Sequence, residues 1–129
     1  MIFVGIFALL VGILMIGQWT VTILKKQVAG PEAGMAGRGK VEMAYHWAAE
    51  FLTAVLLIIA GMGLLSDAGW GRMTFFIADG MLIYTVINSA GYFAQQGQKP
   101  MVIMFAVLLV LAVVSLGVVG QVGVENLAK

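Results

Sequence analysis

The 129-residue chain is 62% hydrophobic and 10% charged, with a formal net charge of +1 and no cysteine. Soluble domains run nearer about 45–50% apolar and about 25% charged, so a water-soluble fold of this length could not cover so much apolar surface. The charge balance excludes the basic field that nucleic-acid binding needs, and the missing cysteines exclude disulfides, thiolate metal sites, CxxC redox chemistry and a cysteine nucleophile.

Four apolar stretches follow in chain order and predict membrane helices at about 2–24, 44–65, 73–93 and 101–122. Each approaches the ~20 residues needed to cross ~30 Å of hydrocarbon. The first carries no charge before Lys25-Lys26. Its run from Met1 to Leu24 is longer than the apolar core of a cleavable signal and lacks a basic leader. The second contains His46 and Glu50, the third contains Asp79, and the fourth stays uncharged after Pro100. Alternating segments of about ten residues, which a membrane β-barrel would show, are lacking. Backbone groups must pair internally in lipid. The expected fold is therefore all-α, a single integral membrane domain built as an up-down four-helix bundle. Pro100 suits the first turn of a helix. The short connections 66–72 and 94–100 predict antiparallel neighbours, and a longer first loop, 25–42, breaks at Gly30-Pro31.

Basic residues favour the cytoplasmic side of a membrane. The first loop carries Lys25, Lys26, Arg38 and Lys40, and the third adds Lys99, against Arg72 and Lys129 on the other side. The reading is an inner, cytoplasmic membrane with the termini outside and the loops 25–42 and 94–100 cytoplasmic. Trp19, Tyr45, Trp47 and Tyr92 then fall near the cytoplasmic surface and Trp70 near the outer one, as an aromatic belt. Gly5, Gly12 and Gly17 in the first helix, with Gly117, Gly120 and Gly123 in the fourth, permit close helix approach without forming a GxxxG motif.

His46 and Glu50 carry the chemistry most clearly. Their i,i+4 spacing puts them on one face of the second helix, and Thr53 continues that face. Glu50 sits about two turns inside the membrane, where a bare carboxylate is costly. It must be protonated, paired with His46, or turned toward protein or water. Gln18 in the first helix and Asn88 in the third reach a similar depth, on the order of 10 Å from the boundary at 1.5 Å per residue. Tyr84, Asn88 and Tyr92 form one stripe of the third helix, with Ser89 beside it. The candidate ligand- or proton-binding set is thus His46, Glu50, Thr53, Gln18, Tyr84, Asn88 and Tyr92. The structural alternative is that these groups only bond the helices together. Asp79 is a secondary candidate, expected about two turns inside the opposite boundary and facing an outer vestibule, a second subunit or the fourth helix.

One histidine cannot build a multi-histidine zinc site, and neither HExxH nor a paired Glu-x-x-His motif is present; no metal site is expected, and the residues imply no particular cofactor. The stretch Ala44-Tyr45-His46-Trp47-Ala48-Ala49-Glu50 loosely resembles the helix-two pattern of the membrane-associated eicosanoid and glutathione metabolism family. Trp47 stands where that family has asparagine, the histidine is displaced by one residue, and the third helix lacks an arginine for a glutathione carboxylate. The likeness extends to one helical turn and general shape, and the chain is not assigned to that family. Small multidrug transporters share the size and helix count but bury their glutamate in the first helix, which has none here.

Three function classes stand at this point. The first is proton-linked transport or small-ligand binding through the polar cluster. The second is a non-catalytic accessory subunit of a larger membrane complex. The third, with the least support from motifs, is an enzyme on lipid or glutathione-like substrates. The expected partners are the lipid bilayer and either further copies of the chain or the subunits of a membrane complex.

Overall fold

A computed structural model describes residues 1–29 and 39–127. Its elements are four helices: α1 (Ile2–Ala29), α2 (Lys40–Leu65), α3 (Gly69–Gln95) and α4 (Lys99–Leu127). No strand occurs among the described residues. All four helices are long and apolar enough to span a bilayer, and the chain is an integral membrane protein of the four-helix-bundle type. The middle of the expected first loop, with Gly30, Pro31 and Arg38, lies outside the described residues, as does Lys129.

Each helix outruns its expected bounds. α1 continues through Lys25 to Ala29, α2 begins at Lys40 rather than Ala44, and α3 begins at Gly69 rather than Met73. The physical reason is that hydropathy marks the part of a helix in hydrocarbon, whereas lysine and glutamine are good helix formers. Such residues carry the helix on into the headgroup layer. α4 starts at Lys99, so Pro100 sits in its first turn, where its missing N–H costs nothing.

The two short turns have the same construction. After α2, the Ala68 N–H donates to the Gly63 carbonyl at 2.9 Å, with Asp67 at φ +51°. After α3, the Gln98 N–H donates to the Phe93 carbonyl at 3.0 Å, with Gly97 at φ +70°. Both are six-to-one closures around one left-handed residue, which glycine adopts freely and aspartate tolerates. Each reverses the chain within three residues, so α2, α3 and α4 run antiparallel.

α1 lies against α2 through small residues. A Cβ added at Gly5 would come within 3.3 Å of the Gly61 carbonyl, and one at Gly12 within 2.7 Å of the Ala54 carbonyl. As the α1 number rises the α2 number falls, so this pair is antiparallel too. α2 and α3 cross most tightly at Gly63 and Gly71, where a Cβ on Gly71 would meet the Gly63 carbonyl carbon at 2.5 Å. Of the glycines singled out in the sequence, Gly5 and Gly12 sit in such contacts, whereas Gly17, Gly117, Gly120 and Gly123 have nothing within 4 Å of an added Cβ.

The α3–α4 hairpin is in mirror register about Gly97. Ser89 and Phe105 stand eight residues either side, Leu82 and Ala112 fifteen, Asp79 and Ser115 eighteen, and Phe75 and Val119 twenty-two; all eight are buried. These layers, with Val4, Ala8, Val11, Leu57 and Ala60 from α1 and α2, form one continuous core. The helices pack in series, α1 on α2, α2 on α3 and α3 on α4, while α1 and α4 scarcely meet. That gap is what creates the site.

Candidate functional site

Between α1 and α4 lies a cleft of about 680 Å³, within the ~300–1,000 Å³ typical of small-molecule sites. Its walls are aliphatic, with Ile13 and Leu14 from α1 and Met104, Val107 and Leu111 from α4. Its back is α3, through Leu82, Thr85, Val86 and Ser89, and a single α2 residue reaches it, Glu50. Gln18 and Trp19 complete the polar end. The long hydrophobic side chains at the mouth are exposed, Leu14 at 68% and Val107 at 56%, so in a bilayer the cleft opens sideways into lipid.

Glu50 is 3% exposed and held from three directions. The indole Nε1 of Trp19 donates to its Oε2 at 3.1 Å. The Ser89 hydroxyl donates to Oε1 at 3.4 Å, a long bond. His46 Nε2 stands 3.6 Å from the same Oε1, one turn back along α2. The Trp19 ring meets the His46 ring edge-on, with centroids 5.2 Å apart and planes at 84°. Three helices therefore converge on one carboxylate: α1 through Trp19, α2 through His46 and Glu50, and α3 through Ser89. The cleft lining carries no lysine or arginine. Its single ionisable group is an acid, so its field favours a cation or hydrogen-bond donor over an anion.

The sequence candidates divide. His46 and Glu50 meet as the i,i+4 spacing implies, and Gln18 lines the cleft beside them. Thr53 is fully buried, but its hydroxyl donates to the Ala49 carbonyl of its own helix at 2.8 Å. Tyr84 is 69% exposed and points out of the bundle. Asn88 is half-buried, and Tyr92 packs its ring edge-on against Phe93 at 5.3 Å. α3 presents Thr85 and Ser89 to the cleft in place of the Tyr84–Asn88–Tyr92 stripe. Asp79 lies in neither vestibule nor cleft; it is fully buried in the core.

Two partners of Glu50, Trp19 and Ser89, stand outside the candidate set read from the sequence, although Ser89 neighbours its third-helix stripe. Trp19, which the sequence places in an interfacial belt, is only 8% exposed and faces inward. Its signal is the seven-residue stripe Gly5–Gly12–Trp19, which continues the face of α1 that packs on α2. Ser89 completes the stripe Phe75–Leu82–Ser89 in the same way. Among the described residues no group of three histidine, cysteine, aspartate or glutamate side chains converges to hold a metal ion.

A family profile described as a domain of unknown function (DUF8058) matches residues 2–124. The chain belongs to that family. No curated protein and no solved structure matches it. The match runs through all four helices, so every residue around Glu50 falls inside the family's domain.

Proposed function

We propose that this membrane protein binds a small amphiphile that enters the α1–α4 cleft from the lipid and sets its cationic or hydrogen-bond-donating group on Glu50. The supporting observation is the polarity gradient of one cavity. Aliphatic walls at the mouth lead to a single buried carboxylate, organised by Trp19, Ser89 and His46. An apolar body would displace lipid from the walls, while the polar group exchanges with the donors now satisfying Glu50. Arrival of a cation would release a proton from the Glu50–His46 pair, which links ligand binding to proton movement and makes transport the natural extension. The distribution of Lys25, Lys26, Arg38, Lys40 and Lys99 supports an orientation in which the polar end of the cleft lies in the cytoplasmic half, with the termini outside.

The test uses two ions of nearly equal shape and opposite charge, tetraphenylphosphonium and tetraphenylborate, added to protein in nanodiscs. Trp19 fluorescence is the reporter, with Trp19→Phe as its blank. The cation should quench Trp19 saturably and the anion should not. Glu50→Gln should weaken cation binding about 10- to 100-fold, since opposite unit charges roughly 6 Å apart at an effective dielectric constant of about 20 attract by on the order of 2–3 kcal/mol. Equal binding of both ions, unchanged in Glu50→Gln, would overturn the assignment. Cargo-coupled proton flux in liposomes, lost in Glu50→Gln, tests the transport extension.

One observation favours the accessory-subunit reading. α4 is the least buried span, and Ile103, Val107, Val110 and Val114 are all exposed along it. A helix of another subunit, or of a second copy, could occupy that side. Isolation from native membranes with a stoichiometric partner supports this second reading, and a chain that purifies alone and still binds the cation counts against it.

A further inference from the structure

Inside the bundle, apart from the cleft, two further polar side chains are fully buried. Asp79 and Ser115 are both 0% exposed, and neither carboxylate oxygen of Asp79 nor the hydroxyl of Ser115 has a hydrogen-bond partner. The hairpin sets both residues eighteen positions from Gly97, hence at the same level of α3 and α4. α4 packs almost entirely on α3, so the burial of Ser115 is burial against α3 at the height of Asp79. Buried Phe75 and Val119 lie to one side of them along the helices, and buried Leu82 and Ala112 to the other. Asp79 is six residues past Met73, where the apolar stretch of α3 begins, about 9 Å inside a ~30 Å hydrocarbon core.

Three unpaired oxygens in such a place ask for one positive charge. A bare carboxylate among phenylalanine, leucine and alanine carries a desolvation cost that nothing there offsets. A metal cation needs a shell of some six oxygens, more than this pair supplies. A proton needs one acceptor. No charged residue of α1, α2 or α4 lies in this layer; the nearest on α3 is Arg72, seven residues toward its start, and on α2 Glu50 toward the cleft.

We propose that Asp79 and Ser115 form a proton-binding site inside the membrane, distinct from Glu50. With the proton bound, the carboxyl O–H donates to Ser115 Oγ. When the proton leaves, the serine hydroxyl turns and donates to the carboxylate, so each state keeps a partner; a hydroxyl can do both, which alanine cannot. The proton leaves past Leu82 toward the polar end of the cleft, at Gln18 and Glu50. Leu82 and Leu111, which line the cleft, are one helical turn from Asp79 and one from Ser115 respectively.

Infrared spectroscopy of the protein in nanodiscs tests this directly. Isotopic labelling of aspartate carboxyl carbons marks only Asp67 and Asp79, and Asp67 is exposed in the α2–α3 turn. At neutral pH the labelled protein should show the carbonyl band of a protonated carboxylic acid. That band should move in heavy water, vanish in Asp79→Asn and rise in frequency in Ser115→Ala, where its hydrogen bond is lost. Ser89→Ala, which touches Glu50 instead, should leave it in place. Absence of a label-sensitive protonated band means an ionised Asp79 held by some other cation, and overturns the proposal. A band indifferent to Ser115→Ala overturns the pairing, and a band that never exchanges in heavy water overturns the route to solvent. The unmutated labelled protein gives the first reading even if Asp79→Asn does not fold.

Discussion

The tightest point in the molecule is the crossing of α2 and α3, and alanine at Gly71 measures it. The added Cβ would lie 2.5 Å from the Gly63 carbonyl carbon, 2.8 Å from its oxygen and 2.8 Å from the Leu64 nitrogen. Ordinary non-bonded contacts between carbons are about 3.5–4.0 Å, so the helices must part by roughly 1 Å. All three obstructing atoms are backbone and none can rotate away. Overpacking of this kind costs about 1–3 kcal/mol, and rigid obstruction argues for the upper half of that range. Gly91 is the control: it lies in the same helix, and an added Cβ there meets nothing within 4 Å. Both substitutions gain the same helix propensity, about 0.5–1 kcal/mol, which cancels in the difference. Gly71→Ala should therefore unfold about 2–3 kcal/mol more easily than Gly91→Ala, read by circular dichroism during titration from mild into denaturing detergent. Equal midpoints would refute the close crossing, and with it the orientation of α3 that turns Ser89 toward Glu50.

Three further outcomes follow from the same geometry. Trp19→Phe removes the 3.1 Å hydrogen bond to Glu50 and should lower stability by about 0.6 and at most about 1.7 kcal/mol, the average and maximum for bonds between membrane helices; in a double-mutant cycle with Glu50→Gln the two effects should fall short of additive. Tyr84→Phe should change neither stability nor cation binding, because that ring faces lipid; a loss of binding would return the Tyr84 stripe to the site. Leu14→Trp at the cleft mouth should slow or block entry of tetraphenylphosphonium while leaving the fold intact, since Leu14 is 68% exposed; unchanged kinetics would mean that the ligand enters elsewhere.

The membrane helices were legible because hydrophobic length is a property of single segments. Their ends were not, since Lys25, Lys40 and Lys99 read as loop to a hydropathy window yet continue or begin helices. Half of the site was legible for a similar reason: His46 and Glu50 share a helix, and a spacing of four fixes their relation. Contacts between helices depend on rotation about each axis, which one polar stripe sets poorly. On α3 the Tyr84–Asn88–Tyr92 spacing suggested an inward face, but the rotation is governed by Phe75, Leu82 and the glycine crossing at Gly71, which turn Thr85 and Ser89 inward. Trp19 carried the opposite ambiguity. An indole near a helix end suits an interface, and only the glycines one and two heptads before it show that this face is covered by α2.

The serial packing of the helices has a mechanical consequence. With almost no interface joining α1 to α4, the bundle is a folded strip with two free edges, and the separation of those edges is set by three successive helix packings. A change of a few degrees at a glycine contact far from Glu50 is added to the others and delivered at the mouth of the cleft. The lateral pressure of the surrounding lipid acts on the same coordinate. If the cleft binds as proposed, bilayer thickness and tension would act on the site, and a variant that touches no ligand would change how wide it opens.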